Sequence, residues 1–573
     1  YAHSHGDPEG TVFTGQHPED SPARSVESFT GLDGDWVDDR ATAGNNVNAY
    51  RDLDNDNSSD YQTQTPASPD ANYQHFNYTW TDAWRTNADD TGLNTDLDAV
   101  ITQMFYYTNV MHDWAYGFGF DEVSFNFQDD NFGRGGMGSD RVNAEAQDGF
   151  NNGCLDNMMN PTPCTNNANF ATPADGSNPR MQMYMFTPNP STPFWGTSYA
   201  DGAMDGDVIA HEYGHGISSR LVGGSDGTFG YGTHIVHASL GEGWSDIVSF
   251  LTWGDAVIGE YVTSRANTGI RRVAYDTSAW TYNDYNPNAA TGHPNGEVWA
   301  TMLYDVRDEL GINTTTQLVF DGMKVTGDFP TYLDARDGII AADLATNGGD
   351  NYCLLWRIFA NRGLGENAAF SFVSAVSPAD NFDIPEECVP TADAGGPYVT
   401  NEGTDVGLSG LGSAESTDPS GGPLTYEWDL DNDGDFDDAV GPTPTFTDVG
   451  DDLVQTVSLR VTNAAGISDE DSTTVTVNNV APAVSLNPVA SVAENNPITL
   501  SGVISDPGWE DVLTATVDWD DGAGPQALAG VTENVRPDAT LTFSQGHTYG
   551  DDGIYTVTVC GFDDDGGVGA VDV

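Results

Sequence analysis

The pentad His211-Glu212-Tyr213-Gly214-His215 has residue types and a spacing that could bind zinc and activate water. Its two histidines are four residues apart, so on a helix both imidazoles lie on one face, about one turn apart, where they can bind a single ion. Glu212 lies between them in sequence and could take a proton from a water molecule on that ion. Short motifs also arise by chance, and two histidines on a polar helix face are the alternative.

A zinc site of this kind needs a third protein ligand and an open fourth position. One extended form of the motif has a third histidine six residues after the second, but Leu221 occupies that position here. A carboxylate from a later helix is the other option, and Glu242 supplies it. Glycines flank Glu242, and they are costly inside a helix unless another group approaches closely. We therefore expect His211, His215 and Glu242 to bind zinc.

Asp246 follows Glu242 by four residues, so both lie on one face of the same predicted helix. From there Asp246 could accept the outer ring N–H of His211, which would fix the tautomer and strengthen the ligand. In so acidic a chain, a solvated acidic face is the alternative for both carboxylates. The glycines beside Glu242 favour the metal site.

Short strand-like runs and turn residues predict a β-rich region before residue 205, interrupted by a helix over residues 94–117. From Asp205 the pattern becomes helical, which makes the fold class α+β. The predicted helices cover residues 205–221, 237–254, 296–310, 333–346 and 353–362.

The stretches HEYGHGISSRL and GEGWSD resemble the fungalysin family of secreted zinc metallopeptidases, relatives of thermolysin. The resemblance extends from about residue 30 to residue 388, through residues 45–50, 111–113, 131–138, 144–149, 166–173, 180–184 and 296–300. It implies a two-lobed, thermolysin-like catalytic unit, with a β-rich lobe over residues 1–204 and a helical, zinc-binding lobe over residues 205–389. The zinc helix would lie at the junction of the lobes, beside the substrate cleft.

The resemblance also implies two groups that stabilise the oxyanion of the reaction. His293 matches the position of such a histidine, although a loop histidine without a role is the alternative. Tyr231 is a candidate for a second donor, in a loop over residues 223–239 that departs from the family pattern.

Two further segments are implied to bind substrate. Asn167, Ala168 and Asn169 resemble the edge-strand segment that pairs with a peptide by main-chain hydrogen bonds. Arg271 resembles the arginine beneath the pocket for the residue after the scissile bond, where it would also bond a backbone carbonyl. A surface salt bridge is the alternative for Arg271.

The composition is strongly acidic, with 88 Asp and Glu, 18 Lys and Arg, and a formal charge of −70 over 573 residues. Lys324 is the one lysine. This balance excludes nucleic-acid binding by a basic patch and argues against anionic membrane surfaces. No apolar run is long enough for a membrane span. We expect a secreted, extracellular monomer, and we interpret the chain, which begins at Tyr1, as a mature form without signal or propeptide.

Five cysteines fit an exported protein. Cys154 and Cys164 flank a short loop and could close it, and Cys353 and Cys388 could pair as well, although sequence does not determine connectivity. Cys560 is left over in a strand-like run, where we expect a small buried residue.

After Cys388 the helical signal ends, and strand-like runs recur with a period of about 90 residues. Residues 390–480 and 481–573 both resemble PKD domains, small all-β immunoglobulin-like sandwiches. We expect Trp428 and Trp519 to pack in their cores. Such modules commonly act as spacers or bind insoluble polymers or cell surfaces.

A calcium site is a separate hypothesis. Asp429, Asp431 and Asp433, followed by Gly434, match the first half of a calcium-binding loop, but the twelfth position is Val440. The run over residues 52–56 is similar and lacks the glycine.

These observations favour a secreted zinc endopeptidase that acts on extracellular proteins. Two alternatives remain open. One is a zinc exopeptidase, which has the same chemistry but requires a free terminus. The other is a non-catalytic adhesin that works through its PKD array, although the intact Glu212 argues against it.

Overall fold

The computed structural model divides into two compact units, Tyr1–Ile384 and Pro385–Val573. It describes residues 41–64, 76, 78–155, 159–188, 199–230, 232–411, 416–419 and 421–573, and the backbone of 30–31 and 34–35. The first unit mixes helices and strands, as predicted, and the second is β-rich. Among the described residues, no helix combines the length and the hydrophobicity that crossing a membrane requires.

The first unit contains one four-stranded sheet and several two-residue strands. The strands are β1 (Thr30–Gly31), β2 (Gly34–Asp35), β3 (Val47–Arg51), β4 (Val142–Ala146), β5 (Cys154–Leu155), β6 (Pro161–Thr162), β7 (Ala168–Ala171), β8 (Arg180–Met183), β9 (Met185–Phe186) and β10 (Ala200–Asp201). The larger sheet has the order β3-β4-β8-β7. β3, β4 and β8 are parallel, and β7 runs antiparallel to β8 at the edge. β7 thus presents its outer side for further pairing.

Helices dominate the rest of the first unit. They are α1 (Ala83–Thr86), α2 (Asp90–Thr95), α3 (Leu97–Gly117), α4 (Gly206–Gly223), α5 (Ile235–Trp253), α6 (Glu260–Thr263), α7 (His293–Leu310), α8 (Ile312–Val325), α9 (Tyr332–Thr346) and α10 (Tyr352–Asn361). The predicted long helices are all present, with bounds that differ by at most three residues. The sequence pattern missed α8, whose N-terminal half contains Thr314, Thr315 and Thr316.

Two glycines, Gly214 and Gly243, allow α4, α5 and α7 to pack closely. A Cβ atom on Gly214 of α4 would lie 2.8 Å from the Cα of Ser245 on α5. A Cβ on Gly243 of α5 would lie 2.7 Å from the carbonyl oxygen of Gly296 on α7. These distances are shorter than van der Waals contact, so only glycine fits without a shift of the backbone. The close approach expected beside Glu242 is therefore present at Gly243.

α4 begins at a defined capping residue. The Asp205 carboxylate accepts hydrogen bonds from the amides of Asp207 and Val208, at 3.1 and 3.3 Å. It satisfies two of the N–H groups that a helix leaves unpaired in its first turn. The start of the helix that carries the pentad is thus fixed by its own sequence.

The second unit consists mainly of strands with two hydrophobic cores. The strands are β11 (Tyr398–Asn401), β12 (Val406–Gly407), β13 (Thr425–Asp429), β14 (Ala439–Val440), β15 (Thr445–Phe446), β16 (Leu453–Thr462), β17 (Ser468–Asn478), β18 (Ala483–Leu486), β19 (Pro497–Asp506), β20 (Thr514–Asp518), β21 (Gln526–Ala527), β22 (Gly530–Val535), β23 (Asp538–Thr548), β24 (Thr558–Phe562) and β25 (Val568–Asp572). Trp428 is buried in one core and Trp519 in the other, as predicted.

The sheets of the second unit fall on either side of residue 480. Before it lie the sheets β11-β17-β16-β13-β14 and β12-β15, and after it β18-β19-β23-β22 and β21-β20-β24-β25. Because residues 385–573 form one compact unit, the division at residue 480 stays a prediction, and so does the division of the first unit at residue 205.

Four of the five cysteines form disulfides, as the sequence suggested. Cys154 and Cys164 form a disulfide. Cys353 and Cys388 are also disulfide-bonded, and Cys560 is free. One expectation was wrong, because Cys560 is half-buried rather than buried. It lies in β24 next to the edge strand β25, where a side chain is only partly covered.

The contact at Gly214 predicts a specific loss of stability. In Gly214→Ala, the added methyl group would push α4 away from α5 and cost about 1–3 kcal/mol by overpacking. Gly117→Ala is the matched control, because it is also a helical glycine but has nothing within 4 Å of its Cβ position. We expect thermal unfolding of Gly214→Ala at a lower temperature and no loss for Gly117→Ala. Equal unfolding temperatures for the two variants would contradict the packing argument.

Candidate functional site

α4 and α5 bring His211, His215 and Glu242 together in the first unit. One ligand atom from each lies within 4.8 Å of the other two. The Nε2 atoms of His211 and His215 are 3.4 and 3.8 Å from the Glu242 carboxylate. Two imidazole nitrogens and one carboxylate oxygen are a donor set that zinc accepts in catalytic sites, with a fourth position left for water. The residues present therefore fit zinc.

Asp246 lies directly behind His211. Its Oδ1 atom is 2.7 Å from Nδ1 of His211. Because an ionised carboxylate only accepts hydrogen bonds, the ring proton must be on Nδ1, which leaves Nε2 free to bind a metal. Burial would raise the pKa of Asp246, but Arg271 and His211 hold it well below its usual range.

Two further side chains donate to the same carboxylate. Arg271 is buried and donates through Nε and one terminal nitrogen, at 2.7 and 2.6 Å. The hydroxyl of buried Tyr275 also donates to Asp246. Sequence reasoning missed this role of Tyr275, because it follows Arg271 in a stretch without helical or strand periodicity. Arg271 lies in a buried ion pair, not in the surface salt bridge that was its alternative.

The two histidines differ in their proton affinity. Burial lowers the pKa of His215 to about 4, so its ring is neutral, which is the form that binds a metal. Burial also disfavours charge on His211, but hydrogen bonds with Asp246 and Glu242 raise its pKa to about 9. Metal binding at Nε2 of His211 would therefore compete with a proton.

Glu212 lines the cleft beside this cluster. It is buried, and its Oε2 atom has no hydrogen-bond partner among the described residues. Burial raises the pKa of Glu212 to about 8, although the nearby His211 opposes the shift. A carboxylate with a proton affinity near neutral pH can both accept and return a proton. Glu212 thus has the environment of a general base.

The site opens into a cleft of about 780 Å³. One wall is formed by residues 167–172, which contain the edge strand β7, and another by residues 270–272. Asn167 precedes β7, and Ala168 and Asn169 are its first two residues. The Asn169 side chain is held within the protein by Gln182 and Tyr184. The three predicted substrate-binding residues therefore lie together along one side of the cleft.

His293 begins α7 at the rim of the cleft. Its Nε2 atom is 3.2 Å from Oε2 of Glu242, and 47 % of its side chain is exposed. The position leaves His293 accessible to a bound ligand beside the cluster. Tyr231, the second candidate donor, lies outside the described residues.

In the second unit, the aspartates of the loop after β13 bind the backbone of their own loop. Asp429 accepts from the amides of Asn432 and Gly434. Asp431 and Asp433 each accept from the amide two residues further on. The calcium hypothesis for Asp429, Asp431 and Asp433 stays a prediction.

In this arrangement, a group of residue types that can bind a metal ion lies beside the buried Glu212 carboxylate in a cleft. The family described as fungalysin metallopeptidase (M36) matches residues 3–368, and the chain belongs to that family. An extracellular metalloproteinase MEP of Pyricularia oryzae is 37% identical over 332 residues, covering 52% of this chain and 47% of that protein. An extracellular metalloproteinase of Pyrenophora tritici-repentis is 36% identical over 384 residues, covering 60% and 53%.

The chain spans about half the length of these relatives. Among solved structures, bovine butyrophilin covers 32% of this chain and 96% of its own, with 14% identity and a TM-score of 0.18. That likeness is too weak to bear on this chain.

The hydrogen bond from Tyr275 to Asp246 predicts an effect on metal affinity. Tyr275→Phe removes one donor to the carboxylate that orients His211, and such outer partners typically change metal affinity about 10–100-fold. Tyr282→Phe makes the same chemical change at a buried tyrosine that donates to the Ala369 carbonyl and does not line the cleft. In competition with a chromogenic chelator, we expect weaker zinc binding for Tyr275→Phe alone. Equal affinities for both variants and the wild type would contradict the role of Tyr275.

Proposed function

We propose that this protein is an extracellular, zinc-dependent endopeptidase. The observation that carries the proposal is the convergence of His211, His215 and Glu242 beside Glu212, a cleft residue with a buried carboxylate oxygen that accepts no hydrogen bond among the described residues. Membership of the fungalysin family supports it, as do the names of the relatives. We extend their extracellular location to this chain.

His211, His215 and Glu242 would hold the zinc ion. When bound there, zinc would acidify a water molecule and polarise the carbonyl group of the scissile peptide bond. Asp246 keeps the His211 proton on Nδ1, and Arg271 keeps Asp246 ionised. These contacts fix one ring proton on Nδ1 and orient the imidazole, so that Nε2 of His211 faces the metal position.

Glu212 performs the proton transfers. Its carboxylate accepts a proton from the attacking water while the water oxygen forms a bond with the carbonyl carbon. It then gives this proton to the amide nitrogen as the C–N bond breaks, so that a carboxylic acid and an amine are released. His293 donates a hydrogen bond to the oxyanion, and Tyr231 is proposed as a second donor.

The substrate peptide would add to the edge of the sheet. The backbone of β7 pairs with β8 on one side, and its other side borders the cleft. Main-chain hydrogen bonds from residues 167–169 would hold an extended peptide with little regard to its sequence. Such binding does not require a free terminus, which favours endopeptidase over exopeptidase activity. Arg271 would contribute beneath the pocket for the residue after the scissile bond.

We further propose a thermolysin-like, two-lobed arrangement for the catalytic unit. Its support is the contrast between the sheet before residue 205 and the helices after it. For residues 390–573 we propose two PKD modules that act as spacers or bind an insoluble polymer or a cell surface. Their support is the pair of tryptophan-centred cores on either side of residue 480.

The role of Glu212 is tested by the isosteric change Glu212→Gln. We expect the variant to retain zinc but to lose turnover by roughly 10³-fold, with little change in KM, because Gln cannot accept the proton. Glu309→Gln, at an exposed position of α7 that pairs with Arg357, is the matched control and should keep full activity.

Chelation should inactivate the wild type, and added zinc should restore it.

The substrate for these assays is an internally quenched peptide with both ends blocked. Its cleavage by the wild type supports an endopeptidase. Cleavage only of peptides with a free terminus would identify an exopeptidase instead. Zinc binding without hydrolysis of either substrate would leave the adhesin as the better interpretation. Near wild-type turnover by Glu212→Gln would refute the proposed mechanism.

A further inference from the structure

Three carboxylates from distant parts of the second unit meet where its two halves adjoin. Glu402 follows β11 before residue 480, whereas Asp506 ends β19 and Asp511 lies in the loop between β19 and β20 after it. One carboxylate oxygen from each lies within 4.8 Å of the other two. All three side chains are buried, with at most 1% of each residue exposed. We refer to Glu402, Asp506 and Asp511 as the junction cluster.

The cluster contains buried oxygen atoms that no donor satisfies. Both carboxylate oxygens of Asp511 lack a hydrogen-bond partner among the described residues, as do Oε1 of Glu402 and Oδ2 of Asp506. The other carboxylate oxygen of Glu402 accepts a hydrogen bond from the Val480 amide, and that of Asp506 accepts one from the Gly508 amide. Buried carboxylates without donors are costly, and three like charges at this distance repel one another strongly. Something positive is needed to stabilise them.

Among the described residues of this unit, no ion pair supplies that charge to the cluster. Arg460 and Arg536 are the two arginines of this unit, which contains no lysine. Arg460 pairs with Glu427 at 2.8 Å, and Arg536 pairs with Asp405 at the same distance. Arg536 also stacks on Trp509, with its guanidinium carbon 4.6 Å from the ring centroid, but its ion-pair partner is Asp405. Further carboxylates lie nearby, because Glu402 also belongs to a second group with Asp451, Asp452 and Asp565.

We propose that the junction cluster binds a divalent cation, and that this cation is calcium. Calcium prefers six to eight oxygen ligands and accepts carboxylates in irregular arrangements. Glu402, Asp506 and Asp511 would supply the buried ligands. The more exposed group of Asp451, Asp452 and Asp565 shares Glu402 and would complete the negative surroundings from the solvent side. This site is distinct from the loop at Asp429.

The position of the cluster gives the cation a structural role. The loop over residues 506–511 already contacts the first half, because the Glu510 amide donates to the Gly450 carbonyl at 2.9 Å. Trp509 packs against the core of the first half. A cation held by Glu402 on one side and by Asp506 and Asp511 on the other would fix the two halves to each other. Calcium would therefore stabilise the tandem β-rich unit independently of the peptidase reaction.

Calcium binding is tested on the full chain, prepared free of calcium with its zinc left in place. Equilibrium dialysis against calcium chloride gives the number of ions bound, and calorimetry gives the unfolding temperature. At a calcium concentration about 100-fold above Kd, we expect the unfolding transition of the β-rich unit to rise by roughly 5–10 °C.

Asp511→Asn is the main variant, because its carboxylate accepts no hydrogen bond that the change would break. We expect it to bind at least one calcium ion fewer and to lose the thermal shift. Without calcium it should be at least as stable as the wild type, since one repelling charge is gone. The double variant Asp506→Asn/Asp511→Asn should show the same pattern more strongly. Circular dichroism checks that both variants are folded.

Two controls separate this site from other acidic groups. Asp551→Asn/Asp552→Asn removes two exposed charges from the same half and should keep both calcium binding and the thermal shift. Asp431→Asn/Asp433→Asn disables the loop after β13 and should keep the thermal shift. The proposal is wrong if Asp511→Asn binds as much calcium as the wild type. It is also wrong if wild-type stability does not respond to calcium, which would leave a shared proton between Asp506 and Asp511 as the stabilising charge.

Discussion

The close contact between α4 and α5 at Gly214 is the constraint on which the site depends. Two of the proposed metal ligands come from α4 and the third from α5, so the distance between the helix axes sets the distance between them. Gly214 lies within the pentad itself, one residue before His215, and brings the α4 backbone against Ser245. On the other side of α5, Gly243 admits α7, which carries His293 at its start. The glycines therefore position the site as much as its polar residues do.

The second requirement is that the buried charges of the site balance one another. An ion pair such as Asp246 and Arg271 gains little net stability, because both partners lose their hydration. Its effect here is to orient His211, since Asp246 accepts from His211, Arg271 and Tyr275 at once. A carboxylate with this many donors cannot rotate to another partner. The ion pair between Asp246 and Arg271 therefore contributes the orientation of the His211 imidazole rather than net stability.

The sequence predicted those parts of the site that lie on helices. His211, Glu212, Glu242 and Asp246 could be placed because helical periodicity relates residues four apart. Tyr275 could not be placed, because its position depends on the path of the irregular chain between α6 and α7. α8 was missed because threonines have low helix propensity, and burial of Leu318, Val319 and Phe320 outweighs it. The division between a mixed first unit and a β-rich second unit followed from periodicity and repeat length.

The junction cluster shows why acidity alone does not reveal a site. In a chain with a charge of −70, almost every segment contains carboxylates, and most of them are solvated or accept from nearby amides. Asp246 and Asp511 differ from those carboxylates because both are buried. They differ from each other in the number of hydrogen-bond donors around them. Asp246 accepts several hydrogen bonds from the protein, so its charge is satisfied internally, whereas Asp511 has no donor among the described residues. A buried carboxylate of the second kind requires a cation or a proton, and its neighbours Glu402 and Asp506 make a cation the better match.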